Sequence, residues 1–332
     1  MKRKLAIAMR CVLGVSIAAL AGAAPAHAQG DTDLVARARI FPAIGSGAVA
    51  LARDPSGRVY VLTSHPGVVH VFDAKGQAAG KIPATPSKET SIVYGVDVDV
   101  DAQGRVYVAD RATDTVFVFA PDGSLERRIH IAGPMAVASL PAGEVAVASA
   151  SSQKLVTVFD ARGKIAREFG DLANAASSLE LNRYVNVGRL ARDASAHLYY
   201  SFTYLPEPTV RRYDRFGFAD LEFSLTTLDY IAVARATRRE IERLERGGKP
   251  QLKPVVRAVA VDPVTGEVWL GLGGHLLRFA PDGTQRGSYL PFTPEGGRLE
   301  PSAILIEPGR ILVLSETLGI YELPRPGISG LP

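Results

Sequence analysis

The chain has 332 residues, of which 38 are Lys or Arg and 34 are Asp or Glu, so its formal net charge is +4 at pH 7. It contains a single cysteine. This composition excludes a fold stapled by intrachain disulfides, and the length is sufficient for a large apolar core.

The first 28 residues have the pattern of a signal peptide. A basic start between Lys2 and Arg10 precedes an apolar run over about 11–24, and small residues stand at Ala26 and Ala28. The pattern predicts cleavage after Ala28, export to the periplasm or the exterior, and no transmembrane segment after cleavage. The alternative is an uncleaved anchor. Cleavage would remove four basic residues and the cysteine and leave 34 residues of each sign, so we expect no nucleic-acid partner.

A short glycine turn recurs along residues 29–332. The copies read VFDAKG, VFAPDG, VFDARG, RYDRFG and RFAPDG, ending at Gly76, Gly123, Gly163, Gly217 and Gly283, with a weaker IYELPRPG ending at Gly327. Each copy has a second turn upstream, as in RDPSGRVYVL, VDAQGRVYVA, LPAGEVAVA, RDASAHLYYS, VDPVTGEVWLG and IEPGRILVLS. Asp, Pro and Gly in these turns, followed by β-branched and aromatic runs, predict tight hairpins.

Each repeat therefore predicts four antiparallel strands. In the second repeat these are expected at Gly95–Val100, Arg105–Ala109, Thr115–Phe119 and Leu125–Ile129. Runs such as RVYVA are nearly apolar throughout, which indicates that both faces of the strand are covered. Such units, repeating every 40–50 residues or so, are typical of β-propeller blades. The fold class is therefore all-β, a six-bladed β-propeller.

The last repeat stops after its third strand. The segment DLVARARIF, before the first repeat, offers a spare strand that would complete the last blade and close the ring. Closure would remove the open edge of the last sheet.

The repeats DAQGRVYVAD…DTVFVFAPDG and DPVTGEVWLG…LLRFAPDG resemble those of six-bladed propellers of the NHL-repeat type. The resemblance covers nearly all of residues 29–332. It implies the fold and leaves the function open, because that class includes binding scaffolds and a minority of enzymes.

The connections differ between the two faces of the predicted disc. Tight turns lie on one face, whereas the long connections Pro83–Val93, Gly170–Asn186 and Ser224–Val255 lie on the other, where we expect the site. The third connection contains a helical insertion at about 226–250, with a helix predicted over Tyr230–Arg246. This helix is either a surface helix packed on the rim or a lid or docking element. The docking element would present Arg235, Arg238, Arg239 and Arg243.

Aligning the first strands of the repeats on their turns gives a row of small residues near the axis. The pairs are Ala52/Ala50, Asp99/Asp97, Ala138/Ala136, Ala191/Arg189, Ala260/Ala258 and Leu305/Ala303. Asp97, Asp99 and Arg189 interrupt the row, and a carboxylate cannot be buried there without a partner. They are either charges in a water-filled channel or a site for a polar ligand or a hard cation such as calcium.

Further candidates come from the loops of the same face. They are His65, Asp110, Arg111, Asp114, Tyr204, His275 and Glu316. Each is either an ordinary exposed residue or part of a polar rim around an axial pocket.

The sequence shows no strong catalytic constellation, neither a zinc helix nor a phosphate loop nor a nucleophile elbow. The gluconolactonase-like propellers, to which the resemblance extends distantly, hold a divalent cation with one Glu, two Asn and one Asp. Here Asn174, Asn182 and Asn186 all fall in one segment between repeats, a departure that puts this ligand set in doubt.

The leading hypothesis is a binding or scaffold module for a protein, peptide or envelope carbohydrate, without a cofactor. The alternative is a metal-dependent hydrolase or lactonase at the axial mouth, with Asp97 and Asp99 as the cation ligands. A third possibility is an architectural domain that uses the arginine-rich helix as its contact.

Overall fold

The computed structural model describes residues 31–45, 47–225, 230–249 and 251–327. Six β-sheets, each built around four antiparallel strands, surround a common axis, which confirms the six-bladed propeller. The predicted signal peptide, residues 1–28, lies outside the described residues. No helix in the described ranges combines the length and apolar character needed to cross a bilayer.

The chain begins with β1 (Thr32–Val35) and β2 (Ala38–Ile40) and then enters the blades. We name the strands of a blade a to d from the axis outward. Blade 1 contains β3 (Ala48–Arg53), β4 (Val59–Thr63), β5 (Val68–Phe72) and β6 (Ala78–Ile82). Blade 2 contains β7 (Gly95–Val100), β8 (Val106–Asp110), β9 (Thr115–Phe119) and β10 (Leu125–His130), within one residue of the predicted bounds.

The remaining blades follow in chain order. Blade 3 contains β11 (Pro134–Ser139), β12 (Val145–Ser149), β13 (Val156–Phe159) and β14 (Ile165–Phe169). Blade 4 contains β15 (Gly188–Arg192), β16 (Leu198–Phe202), β17 (Thr209–Tyr213) and β18 (Ala219–Ser224). Blade 5 contains β19 (Ala258–Val261), β20 (Val268–Leu272), β21 (His275–Phe279) and β22 (Gln285–Phe292). Blade 6 contains β23 (Ala303–Ile306), β24 (Arg310–Ser315) and β25 (Gly319–Pro324).

The N-terminal segment closes the ring, but it does so as two strands. As predicted, β2 pairs antiparallel with β25 and supplies the fourth strand of blade 6, with Ile40 opposite Ile320. The preceding β1 instead pairs in parallel with β22 and extends blade 5 to five strands. The prediction of one continuous strand was wrong, because Leu34 and Ala36 are buried in the apolar layer between blades 5 and 6. The segment therefore ties two blades together.

The core consists of six apolar layers, one between each pair of neighbouring blades. The layer between blades 1 and 2, for example, joins Leu62 and Val69 to Val108 and Phe117. Every residue of β8 and β9 is buried, as their unbroken apolar runs predict. Each layer removes a large apolar area from water, so the ring is stabilised mainly by contacts between blades.

An aspartate organises the tight turn between strands a and b. In blade 2, Asp101 accepts hydrogen bonds from the backbone N–H groups of Gln103 and Arg105, from Arg105 Nε (2.7 Å) and from the Tyr107 hydroxyl (3.1 Å). Asp54 in blade 1 makes the matching bonds with Arg58 and Tyr60. The repeated sequence D-x-x-G-R-V-Y thus encodes one buried polar cluster per turn.

Two α-helices lie in the described residues of the long connections. α2 (Ile231–Glu245) confirms the predicted helix between blades 4 and 5 and buries Ala234, Thr237 and Ile241. α1 (Leu179–Val185), between blades 3 and 4, was not predicted. It is short, and its N-cap is Ser178, whose side chain accepts a hydrogen bond from the Leu181 N–H.

The Asp101 cluster makes a testable contribution to stability. In Asp101→Asn, the amide can still accept the backbone hydrogen bonds, but one carboxylate oxygen that accepts from Arg105 and Tyr107 is lost. We expect the free energy of unfolding in urea at pH 7 to fall by about 2–4 kcal/mol, because the buried donors lose their acceptor.

Asp122→Asn is the matched control. Asp122 lies in the exposed turn between strands c and d of the same blade, and one of its oxygens accepts both of its hydrogen bonds from Ser124. An asparagine preserves that acceptor, so little change is expected. Equal losses in the two variants would contradict the role assigned to Asp101.

Candidate functional site

An axial channel of about 430 Å³ runs between the six a strands. A smaller cavity of about 60 Å³ lies on the face that carries the long connections, and it is lined by Met135, Gly188, Thr203, Tyr204, Glu316 and their neighbours. Arg189 and Arg257 line both spaces. We call the smaller cavity the mouth and these two arginines the gate.

The row of aligned residues occupies equivalent positions on the a strands. Ala52 stands opposite Tyr60 in its blade, and Asp99 stands opposite Tyr107 in the next, so both side chains point towards the following blade. Ala50, Ala136 and Ala258 are buried in these positions. Blade 2 is the exception, because it carries carboxylates where three other blades carry alanines.

The two carboxylates bond to the inner edge of blade 3. Asp97 accepts a hydrogen bond from the Val137 N–H at 2.9 Å. Asp99 accepts from the Ser139 N–H at 2.6 Å and from the Ser139 hydroxyl at 2.8 Å. Strand a has no strand on its axial side, so these N–H groups would otherwise depend on water. The carboxylates take the place of a neighbouring strand.

Two arginines of blade 4 bond to blade 2. Arg189 Nη1 donates to the carbonyl of Val96 at 3.3 Å, and Arg192 Nη2 donates to the carbonyl of Val100 at 3.4 Å. Arg192 Nε also lies 3.6 Å from Asp99. One wall of the channel, formed by blades 2 to 4, is therefore polar and cross-linked.

The opposite wall is mainly apolar. It is lined by Val49, Leu51, Val259, Val261, Ala303 and Leu305 of blades 5, 6 and 1. Arg53 lies on this wall near the short-turn end and approaches Glu307 at 3.3 Å. The channel thus combines an apolar surface with cationic groups near both ends.

Asp97 is the perturbed acid of the channel. Its burial raises its pKa to about 7, although Arg189 and the Val137 N–H act in the opposite direction. The carboxylate of Asp99 adds to the increase. Near neutral pH the Asp97 side chain is therefore only partly ionised.

The mouth brings together three of the candidate residues. Arg189, Tyr204 and Glu316 line it, and Glu316 lies 3.3 Å from Arg257. Tyr204 stacks on Tyr184 of α1 with ring centroids 5.2 Å apart. Burial and Tyr184 raise the pKa of Tyr204 to about 12, while the positive charges of Arg189 and Arg111 oppose this increase. The phenol is therefore neutral at physiological pH, and its side chain is hydrogen-bonded to Tyr184.

The other candidates lie outside the two cavities and mainly fix loops. Asp110 is fully buried and accepts from the N–H groups of Val93 and Tyr94, which holds the end of a long connection. His65 is exposed, with Nδ1 3.5 Å from the Val93 carbonyl. His275 lies 3.3 Å from Asp31 of the N-terminal segment. Asp114 accepts from the Gly133 N–H.

Sequence reasoning missed three arginines and one tyrosine of the site. Arg257 is a single charge within the apolar run PVVRAVAV, and this interruption was the available signal. Arg53 and Arg192 occur in the same tetrapeptide, LARD, in blades 1 and 4, which face each other across the channel. Tyr184 gave no signal, because α1 itself was not predicted.

The described residues contain no group of three or more His, Cys, Asp or Glu side chains arranged to hold a metal ion. Two of the three asparagines are engaged elsewhere. Asn186 accepts from the Ala173 N–H and donates to two carbonyls, and Asn182 accepts from Ala175 and Ala176. A cation bound by Asp97 and Asp99 would need further ligands and would compete with the blade 3 amides.

No protein-family model and no curated protein matches the chain. Among solved structures, it is similar to a streptogramin B lyase, with a TM-score of 0.55, 13% identity, and coverage of 85% of this chain and 84% of the lyase. Virginiamycin B lyase from Staphylococcus aureus gives a TM-score of 0.55 with 12% identity, covering 84% of this chain and 95% of that enzyme. At this identity the similarity shows the propeller fold alone.

The raised pKa of Asp97 predicts a pH dependence of stability. An unfolded aspartate releases its proton near pH 4, whereas native Asp97 retains it until about pH 7. The Asp97 contribution to the free energy of unfolding should therefore fall as the pH rises through this interval. In Asp97→Asn this pH dependence should be absent. The free energy of unfolding of the variant, relative to that of wild type, should therefore rise by roughly 1–3 kcal/mol between pH 4 and pH 8.

The measurement is urea denaturation at pH 4, 6 and 8, with Asp122→Asn as the variant that should follow wild type between pH 6 and 8. If the difference between Asp97→Asn and wild type is the same at pH 4 and pH 8, the raised pKa is contradicted.

Proposed function

We propose that the protein is an exported propeller that binds a protein, peptide or envelope carbohydrate through the face carrying the long connections. The proposal keeps the NHL-type assignment of the repeats, which rests on their sequence pattern. The observation that carries it is the contrast between the two faces of the disc.

The short-turn face is built from closed polar clusters. Asp54, Asp101 and Asp193 each accept several hydrogen bonds from their own turn. The outer turns are closed in the same way, as Asp73 and Asp160 show. Few of these acceptors remain for a ligand, and the turns are too short to rearrange around one.

The opposite face carries both helices, the mouth and the wider surface between the helices. A groove of about 650 Å³ lies between α1 and α2, lined by Leu181, Tyr184, Leu244 and Glu245 among others. Tyr184 also stacks on Tyr204 of the mouth, so one aromatic pair links a residue of the groove to a residue of the mouth. Loops held by a rigid scaffold are the usual location of binding residues.

The chemistry of this surface suits a polar ligand with some apolar character. The gate arginines donate hydrogen bonds, Tyr204 can donate or accept, and Glu316 accepts. Tyrosine and arginine are the residue types that contribute most to recognition at interfaces.

Export is the second element of the proposal, and it rests on the signal-peptide pattern. Expression of the full chain in a bacterial host should give periplasmic protein whose N-terminal sequence begins at Gln29. Recovery of the protein only in the cytoplasm with its first residues intact would contradict export.

Binding can be tested by capture from an envelope extract that contains proteins, peptides and glycans. Immobilised wild type should retain a component that Tyr204→Ala loses by about tenfold or more, because the mouth loses its aromatic and hydroxyl groups. Arg286→Ala, which changes an exposed residue beside a short turn, is the matched control and should retain it. If no retained component depends on Tyr204, binding through the mouth is wrong.

The alternative is a hydrolase or lactonase that holds a divalent cation at the axial mouth. The structure places its predicted ligands, Asp97 and Asp99, on the wall of the channel and not in the mouth, and their oxygens already accept hydrogen bonds from blade 3. Turnover of an ester and lactone panel with added calcium, abolished in the double variant Asp97→Asn/Asp99→Asn, would favour this alternative over the binding module.

A further inference from the structure

The gate arginines lie at the boundary between the mouth and the channel. Among the described residues, Arg189 and Arg257 line both spaces, so a ligand at that boundary lies beside both of them. We propose that the gate binds the carboxylate of a small ligand whose apolar part enters the channel. This inference rests on the proposed function, because it names the ligand class of the same face.

Arg189 has donors to spare. Its Nη1 atom makes one long hydrogen bond, 3.3 Å to the Val96 carbonyl. Its charge acts on the nearby Asp97, but within the described part of the chain it makes no direct ion pair with a carboxylate. A guanidinium has five N–H donors, so several remain for a ligand. Arg189 is half-buried, which strengthens a charged hydrogen bond relative to one in water.

Arg257 has partners that a ligand can replace. Its carboxylate neighbours are Glu300 at 2.9 Å and Glu316 at 3.3 Å, and their side chains are 61% and 54% exposed. Exposed ion pairs of this kind contribute little to stability, so replacing one of them with a ligand carboxylate costs little free energy. Arginine is suited to this exchange because its planar fork matches a carboxylate.

The charges beyond the gate favour a single negative charge. Asp99, and Asp97 in its ionised form, lie on the channel wall next to Arg189 and would repel the second charge of a phosphate dianion. Asp97 holds hydrogen bonds to blade 3 and cannot simply turn away. A monoanionic carboxylate carries one charge instead of two, so these carboxylates repel it less than they repel a phosphate dianion.

The channel defines the rest of the ligand. Its volume of about 430 Å³ accommodates a small molecule or a short chain end. The wall formed by Val49, Leu51, Val259 and Leu305 offers an apolar surface beside the gate. Apolar groups placed there would leave water and contribute to affinity in proportion to the buried area.

The test uses matched pairs that differ only in the charged group. Octanoate and octanamide represent a fatty acid, and N-acetyl-leucyl-leucine and its C-terminal amide represent a peptide end. In calorimetric titrations of residues 29–332, at least one acid should bind, and its amide should bind about tenfold more weakly or not at all. The acid that binds more tightly identifies the source of the carboxylate.

Variants locate the site. Arg189→Gln and Arg257→Gln should each weaken the acid about tenfold, whereas Arg286→Gln should bind like wild type. If Arg189→Gln fails to fold, Arg189→Lys tests the same position, since it keeps the charge but loses the fork and should bind several-fold more weakly. Equal binding of acid and amide, wild-type affinity in the gate variants, or displacement of the acid by equimolar inorganic phosphate would overturn the inference.

The outcome is separable from that of the capture experiment. If none of the acids binds but the captured component still depends on Tyr204, the carboxylate inference is wrong and the binding module stands. If neither result is obtained, both are wrong.

Discussion

The fold depends on how the backbone N–H and C=O groups on the axial edge of the six innermost strands find hydrogen-bond partners, because no strand lies on that side. In each blade, strand a pairs with strand b on one side only, and its other side faces the axis. The N–H and C=O groups on that side need partners, because leaving them buried and unpaired is costly. Around most of the ring an open channel can supply water. Between blades 2, 3 and 4 the chain supplies its own partners: Asp97 and Asp99 accept from blade 3, and Arg189 and Arg192 donate to blade 2.

Much of the architecture could be predicted because it is encoded locally. In blades 1 and 2 the sequence D-x-x-G-R-V-Y contains both the turn and its hydrogen-bonding partners within seven residues, so these hairpins can be predicted from local sequence. The unbroken apolar runs of β8 and β9 likewise indicate strands covered on both faces. α2 was predictable because fifteen residues allow an apolar stripe to repeat several times. The strand bounds of blade 2 consequently agree within one residue.

What could not be predicted depends on contacts between distant parts of the chain. α1 has only seven residues, and Leu179 at its start is exposed, so its periodicity is too short to recognise. The division of the N-terminal segment follows from the burial of Leu34 and Ala36 between two blades, which no local pattern reveals. Asp97 and Asp99 stood out as exceptions in an alanine row, but their acceptor role required the position of Val137 and Ser139, forty residues away.

The self-satisfied wall of the channel also determines where a ligand can act. Arg192 lies near Asp99, and Asp97 and Asp99 are held by blade 3, so these groups cross-link the ring and have little freedom to bind anything else. The gate arginines differ from these groups. Arg189 makes only one long hydrogen bond, and the carboxylate partners of Arg257 are exposed side chains. Both residues line the mouth on the loop-bearing face and also line the channel. The polar groups that satisfy the open strand edges of blades 2 to 4 are therefore occupied, whereas the gate arginines still have N–H groups that can donate to a ligand. These donors lie beside the apolar wall of blades 5, 6 and 1.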